Sequence, residues 1–444
     1  MTRRWTIGAA ALGWLLACGE PEASTDAGAG EVDAGPDAPR DGGAGADGGA
    51  PEVAWPNEEA PATSDPWIVA HHDEIALMRP RVLALNFVNR RTNAEMEAHV
   101  EDIFAAIREA TRPHGEGAPF LEYELARAVD LTDESPPADW PYRNSTRYPR
   151  EDPPTGRWGF DYGALFGEAF AAHYGFEDPD APGEYLTLCE LSERGLVHEV
   201  WVYGDADVPD VAAAEILAFT PEYDASGARV EGAWDTCAGN GCFDSDDFIP
   251  ETCTRTLRIG WVNHTRGVGC YLESIGHGIE GLALRNSRPY LQPYFRELAG
   301  FDLDDRYGLP VQSWYECTYD DDCLRYPTPS SVEYTDAGGF DGTIDPYDPI
   351  CGNAHWPPNA RRHYDVTHPG EVLTTCRDWR RGSDGGEDRA ELVSAADWAE
   401  YEALAPDCTG AFAVWWWQSF PSVDRQAIDD DGQPMHNWWP YLFY

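Results

Sequence analysis

The sequence predicts an α/β protein: a largely parallel sheet core with helices, followed by an irregular part rich in disulfides and tryptophan. Three observations predict it. Between residues 80 and 310, short apolar runs of strand type alternate with helical periodicities, the pattern of a sheet built by strand–helix–strand crossovers. Beyond residue 311 the periodicity breaks into segments rich in Pro, Asp, Cys and Trp. The chain also holds eleven cysteines and 18 tryptophans, both concentrated towards its C-terminal half.

Taken in order, residues 82–88 (Val-Leu-Ala-Leu-Asn-Phe-Val) read as a buried strand. Thr92 and Asn93 then offer a helix cap, and residues 94–112 carry a helical repeat with Met96, Val100, Ile103, Phe104 and Ile107 on one side. Residues 120–131 read as a second strand, and 162–174 and 185–194 as helices. Residues 197–204 (Val-His-Glu-Val-Trp-Val-Tyr-Gly) read as a strand ending on glycine. Alternation places Glu199, Trp201 and Tyr203 on one face, with His198, Val200 and Val202 on the other. Residues 256–262 form a further strand that runs into a helix. This gives a core over residues 56–310 and a disulfide-rich part, 311–444, packed on one end of the sheet as long loops and short helices.

The first residues carry an export signal. Arg3 and Arg4 precede an apolar run, residues 5–16, too short to span a bilayer comfortably. The run closes on Leu15-Leu16-Ala17-Cys18, which resembles the lipobox of bacterial lipoproteins. That resemblance implies a signal peptide over residues 1–17, acylation of Cys18, and a membrane reached through the lipid anchor. Gly19, rather than Asp, after the cysteine implies the outer membrane, with the protein facing the periplasm or the cell surface. Residues 18–55 are mostly Ala, Gly, Asp, Pro and Glu; they bury too little apolar surface to offset their ordering entropy and read as a disordered acidic tether.

Composition excludes several functions. With 79 acidic against 31 basic residues and a net charge of −48, the chain lacks the clustered cations that nucleic acid requires. It contains no lysine, which rules out Schiff-base chemistry, a P-loop lysine and pyridoxal phosphate attachment. No GxSxG or HExxH pattern occurs. Setting aside Cys18, the other ten cysteines of an exported chain read as five disulfides, with Cys237–Cys242 and Cys317–Cys323 close enough to close local loops.

The helix after residue 262 carries the most chemistry. Val268, Leu272, Ile275, Ile279 and Leu282 form one stripe, and Arg266, Glu273, His277 and Glu280 lie on the opposite face. The ExxxHxxE spacing gathers two carboxylates and an imidazole within an arc of about 60°, a trio suited to metal binding or acid/base work. Gly267, Gly269, Gly276, Gly278 and Gly281 flank the stripes; their cost in a helix makes sense where backbone or a ligand approaches closely. A second cluster is Cys351-Gly352-Asn353-Ala354-His355-Trp356-Pro357-Pro358-Asn359-Ala360, followed by Arg361, Arg362, His363, Tyr364 and Asp365, where two prolines and a disulfide would hold His355 rigidly. Glu199 on its strand needs a polar partner, and Glu215 is a further candidate.

The NxxRGVGxxLExxGHxxE pattern, the CGNxHxPPNA segment, the HEVWVYG strand and the Trp-rich C-terminal segment together resemble a family of exported bacterial domains. The resemblance spans most of residues 80–444 and supports the choice of residues, without implying a reaction. His264 stands where that pattern would carry an aromatic.

The expected function is an extracytoplasmic metal-dependent hydrolase acting on an extracellular polymer or peptide. In it His277, Glu280 and His355 bind a divalent metal, zinc by ligand type, Glu273 or Glu199 acts as general base, and Arg266 orients an anionic substrate group. Two alternatives stand beside it: a glycosidase using two of Glu199, Glu273 and Glu280, and a non-catalytic module that binds polysaccharide or protein, its polar helix serving as a buried ion-pair network. The tryptophans read first as core, since a helix cannot place all of Trp415-Trp416-Trp417 on one face, with sugar platforms as the alternative. The acidic runs at 244–247, 320–322 and 429–431 offer oxygen ligands for structural calcium. The sequence leaves the oligomeric state open.

Overall fold

The computed structural model describes residues 53–63, 66–88, 91–115, 117–132, 150–152, 157–159, 162–204, 211–212, 216–236, 238–239, 253–308, 322–335, 341–347, 351–382 and 387–444. The expectations for Cys18 and most of the tether, for Glu215, Cys237, Cys242 and Cys317, and for the acidic runs at 244–247 and 320–321 lie outside the described residues.

Strands β1 (Arg81–Asn86), β2 (Glu124–Asp130), β3 (Glu199–Gly204), β4 (Ile216–Tyr223), β5 (Arg229–Asp235) and β6 (Leu257–Asn263) make a sheet of order β5-β4-β6-β3-β1-β2. Strands β6, β3, β1 and β2 run parallel, in register at Val82↔Glu199 and Trp201↔Gly260. The fold is mixed α/β with a mostly parallel core sheet, as expected, but β4 pairs antiparallel with β6, and β5 antiparallel with β4.

Helix α1 (Asn93–Ala110) follows β1 and starts where Thr92 closes a capping box: its hydroxyl accepts from Glu95 N–H at 3.2 Å, and Glu95 accepts from Thr92 N–H at 2.7 Å. Alternation along the strands then sorts the core into two layers. Val82, Ala84, Trp201, Tyr203 and Val262 face α1 and helices α2 (Val268–Ala283) and α3 (Leu291–Ala299). Leu83, Leu85, Val200, Val202, Ile259 and Trp261 face the short helices Glu168–Tyr174 and Leu188–Glu193. The sheet is sandwiched between these layers.

The C-terminal part contributes to the same core. Helices α4 (Gly410–Trp417) and α5 (Trp438–Phe443) bury Trp415, Trp416, Trp417, Trp438 and Trp439 almost completely, among residues of α1 and α2. A helix enclosed on every side is apolar all round. These five tryptophans are therefore core, not the sugar platforms their clustering suggests. The part is also more regular than expected: Leu324–Thr328, Ser331–Thr335 and Asp341–Ile344 form an antiparallel sheet, and Val372–Thr374 pairs with Glu391–Val393. The described residues form one compact unit. Disulfides join Cys189 to Cys253, Cys270 to Cys408 and Cys351 to Cys376, and Cys323 is also disulfide-bonded. Among the described residues no helix is long and apolar enough to cross a membrane.

Candidate metal centre

Helix α2 is pinned at its start. The first N–H groups of a helix have no internal partner; here Asp407 accepts from Gly267 N–H at 2.8 Å and from Gly269 N–H at 2.7 Å, and its negative charge suits that end of the helix dipole. The adjacent Cys270–Cys408 disulfide fixes the same junction. Two of the glycines, Gly269 and Gly281, answer to backbone packing. A Cβ on Gly269 would lie 2.0 Å from the Asp407 carbonyl oxygen, and one on Gly281 2.3 Å from that of Gly239. The helix opens at Val268, so Arg266 stands in the turn ahead of it, half-buried and roughly 10 Å along the axis from Glu273. Arg266 is thus not part of the polar helix face on which the periodicity placed it.

The second element is the loop of His355. The Cys351–Cys376 disulfide ties it to the turn at Cys376, and Cys351 N–H donating to Leu298 C=O at 2.9 Å ties it to the end of α3. Asn353 donates to Ala299 C=O at 3.2 Å and accepts from His355 N–H at 3.2 Å. Asn359 donates to the carbonyls of His368 and Gly370 at 2.7 and 2.8 Å. The chain then turns so that Tyr364 N–H reaches His355 C=O at 3.1 Å, with Asp365 clamped on Arg361 at 2.7 Å. The stiffness expected of this segment is present, and it comes from asparagine side chains as much as from proline.

These elements bring four side chains together. His277 Nε2 lies 2.9 Å from His355 Nε2 and 3.8 Å from Glu273 Oε1, and His355 Nε2 lies 3.2 Å from the same oxygen. The hydroxyl of Tyr364 donates to Glu273 Oε1 at 2.5 Å and sits 2.7 Å from His355 Nε2. Behind them, Glu280 Oε2 accepts from His277 Nδ1–H at 2.9 Å, and its other oxygen accepts from Ala354 N–H at 2.9 Å. Glu273, His277 and His355 could hold a metal ion: they offer one ligand atom each, all within 4.8 Å of one another. At the usual metal–nitrogen distance of about 2.0–2.1 Å, neighbouring ligands of a tetrahedral ion lie about 3.3 Å apart, and the observed separations of 2.9, 3.2 and 3.8 Å bracket that value. The side chains retain 11–25 % exposure, so solvent reaches the cluster.

The charges follow from the contacts. Burial disfavours ionisation of Glu273, but hydrogen bonds from His277, His355 and Tyr364 outweigh it and hold the carboxyl well below the usual carboxylate range. Burial likewise opposes a charge on His277, yet the carboxylates of Glu273 and Glu280 overcome it and push the imidazole up to about 10 in the metal-free protein.

Periodicity puts Glu273 and Glu280 on one face with His277 but does not say which meets which ring nitrogen. Glu273 is the carboxylate on the Nε2 side, in the group that could hold a metal; Glu280 stands behind Nδ1 and accepts from it. Glu199 belongs elsewhere. It opens β3, at the amino end of the parallel strands, and accepts from Tyr123, Tyr444 and Trp201 at 2.8, 2.9 and 2.9 Å, with Arg258 at 3.7 Å. None of those partners is among the hydrogen-bond partners given for Glu273, and the four groups already engage the Glu199 carboxylate. Asp322 pairs with Arg361 and Arg362, Asp429 accepts from Asp431 and Gln433 N–H, and Asp430 pairs with Arg380, so these acidic side chains already serve ion pairs and a turn.

Sequence reasoning missed two groups. Tyr364 lies nine residues beyond His355 in the segment already singled out, and that proximity is the signal that was present. His72, Asp73 and His436 also gather, with Asp73 accepting from His72 at 3.3 Å and from His436 at 2.5 Å. No local pattern announces a contact between residues 73 and 436. No protein-family model and no curated protein matches the chain.

Proposed function

We propose that Glu273, His277 and His355 form a divalent metal centre, zinc by ligand type, and that the protein is a metal-dependent hydrolase acting outside the cell on a polymer or peptide. The observation that carries the reading is the convergence of two imidazole Nε2 atoms and a carboxylate oxygen at 2.9–3.8 Å. Two imidazole nitrogens that face each other so closely share a single proton unless a cation lies between them. Three protein ligands of the His/His/carboxylate type with a solvent-accessible side are the arrangement of catalytic rather than structural zinc. A metal held there supplies a Lewis acid that polarises a carbonyl and lowers the pKa of coordinated water. The protein's own part is to fix the ligands: Glu280 sets the His277 tautomer, and the Ala354 N–H on its second oxygen ties that carboxylate to the His355 loop. We further propose export and lipid anchoring at the outer membrane through Cys18, supported by the lipobox-like Leu15-Leu16-Ala17-Cys18 and by disulfides that persist in an oxidising compartment.

Elemental analysis of the full chain, purified from an oxidising compartment, tests the centre. Near-stoichiometric zinc or another transition metal is expected, lost in His277→Ala and in His355→Ala with the circular dichroism unchanged. A metal-free wild type, or metal that survives both substitutions, overturns the reading and leaves the cluster as a buried ion-pair network. Hydrolysis in a screen of peptides, esters and glycans should disappear with a chelator and return with zinc.

A further inference from the structure

We infer that Tyr364 is the fourth ligand of this centre, its phenolic oxygen closing the side that a substrate must open; the inference rests on the metal reading above. The hydroxyl lies 2.5 Å from Glu273 Oε1 and 2.7 Å from His355 Nε2, at the same apex where His277 Nε2 approaches. Tyr364 has one proton and can donate to one of these atoms. In the metal-free protein two protons bridge these four atoms, from Tyr364 to Glu273 and from His277 Nε2 to His355 Nε2, and a shared cation would take the place of both.

The backbone supports the same assignment. Tyr364 adopts φ +57°, a left-handed conformation that a bulky residue rarely takes. Such conformations persist where the surroundings hold them, and they gather at ligand clamps and switches. Here the turn carries the ring back over His355, with centroids 4.3 Å apart, and delivers the oxygen to the cluster. On coordination the O–H bond breaks, its proton leaves to solvent, and the oxygen lone pair forms the bond to the metal; no oxidant or reductant takes part. With the tyrosine in place the centre has four protein ligands and no position for a substrate oxygen. The resting state is therefore closed, and substrate binding displaces Tyr364.

Copper provides the test. The full chain is loaded with Cu(II), and its visible absorption is recorded alongside electron paramagnetic resonance, which reports the histidine nitrogens. Wild type should show a phenolate-to-copper charge-transfer band. In Tyr364→Phe the band should vanish while the nitrogen couplings remain, and zinc affinity by chelator competition should fall more than about tenfold. Bound copper with histidine couplings but no charge-transfer band in wild type overturns the inference and leaves the three-ligand centre standing, as does a band that persists in Tyr364→Phe. Failure of wild type to bind metal at all, by contrast, removes the centre itself. The wild-type spectrum carries the test alone should the variant not fold.

Discussion

Glu199 and Glu273 are both buried carboxylates, 5 % and 9 % exposed, yet they are surrounded in opposite ways. Around Glu199 every neighbour is a donor: the hydroxyls of Tyr123 and Tyr444, the indole N–H of Trp201 and the guanidinium of Arg258. Burial and the Glu199 charge push both tyrosines up, so they keep their protons. One acceptor among four donors is a solvated ion, with protein groups standing in for water. Around Glu273 the neighbours are two imidazoles and a phenol, which donate to it but also meet one another at His355 Nε2. The groups around Glu199 serve one carboxylate; those around Glu273 converge on one another and are of metal-ligand type. A buried charge with its donors supplied is scaffold; a convergence of groups that can also serve as ligands is a place for a cation.

The comparison breaks most visibly at Glu199. In Glu199→Ala the Arg258 cation and two tyrosine hydroxyls lose their acceptor in the sheet core. Removing one partner of a buried pair typically costs about 3–5 kcal/mol, so urea unfolding should show a loss of that order, with metal content unchanged. A loss of metal in this variant would mean that the two clusters are one functional unit.

The histidines sharpen the same contrast. His198 and His277 are both held by hydrogen bonds, but those of His198 come only from backbone: its Nδ1 accepts from Arg81 N–H at 2.9 Å, and its Nε2–H donates to Pro61 C=O at 3.1 Å. Burial alone therefore wins, and the His198 pKa falls to about 4, whereas two carboxylates raise that of His277 to about 10. The folded His198 pKa lies below the unfolded value of about 6.5, so the unfolded chain binds more protons between those limits. The stability His198 contributes is full above pH 6.5 and is lost as pH falls towards 4. At roughly 1.4 kcal/mol per pKa unit that loss is about 3 kcal/mol. His198→Gln keeps an acceptor and a donor without titrating, so the acid-induced loss in wild type should exceed that of the variant by about this amount. Equal pH dependence in the two proteins would show that His198 carries its proton in the fold.

Much of this architecture was legible because it is local. The 82–88 run became β1, the Thr92 cap and the 3.6-residue repeat became α1, and the ExxxHxxE stripe and the Asn353–Asn359 segment became the two walls of the candidate site. What stayed hidden depends on distant partners. The antiparallel strands β4 and β5 stand at one edge of the sheet, and only pairing with β6 settles their direction. Tyr364 reaches Glu273 through a left-handed turn that no apolar period encodes. The tryptophan run reads as core from the sequence, but only the structure shows which helices enclose it.

Glu273 and Glu280 are the sharpest case, because both lie on one helix face with His277, at i−4 and i+3. Which ring nitrogen each one meets is decided by the loop opposite: Ala354 N–H holds Glu280 on the Nδ1 side, and Tyr364 and His355 hold Glu273 on the Nε2 side. Glu280→Gln separates the roles. Its amide oxygen can still accept from Ala354 N–H or from His277 Nδ1–H, but it brings no negative charge, so His277 becomes a weaker and less firmly oriented ligand. Loss of such a supporting carboxylate typically weakens metal binding by about 10–100-fold. Titration of the variant with zinc should therefore still reach one equivalent, at that lower affinity. Glu273→Gln removes an anionic ligand itself and should not reach one equivalent over the same concentration range. If instead Glu280→Gln abolishes binding while Glu273→Gln only weakens it, Glu280 is the ligand, and Glu273 supports the centre through Tyr364.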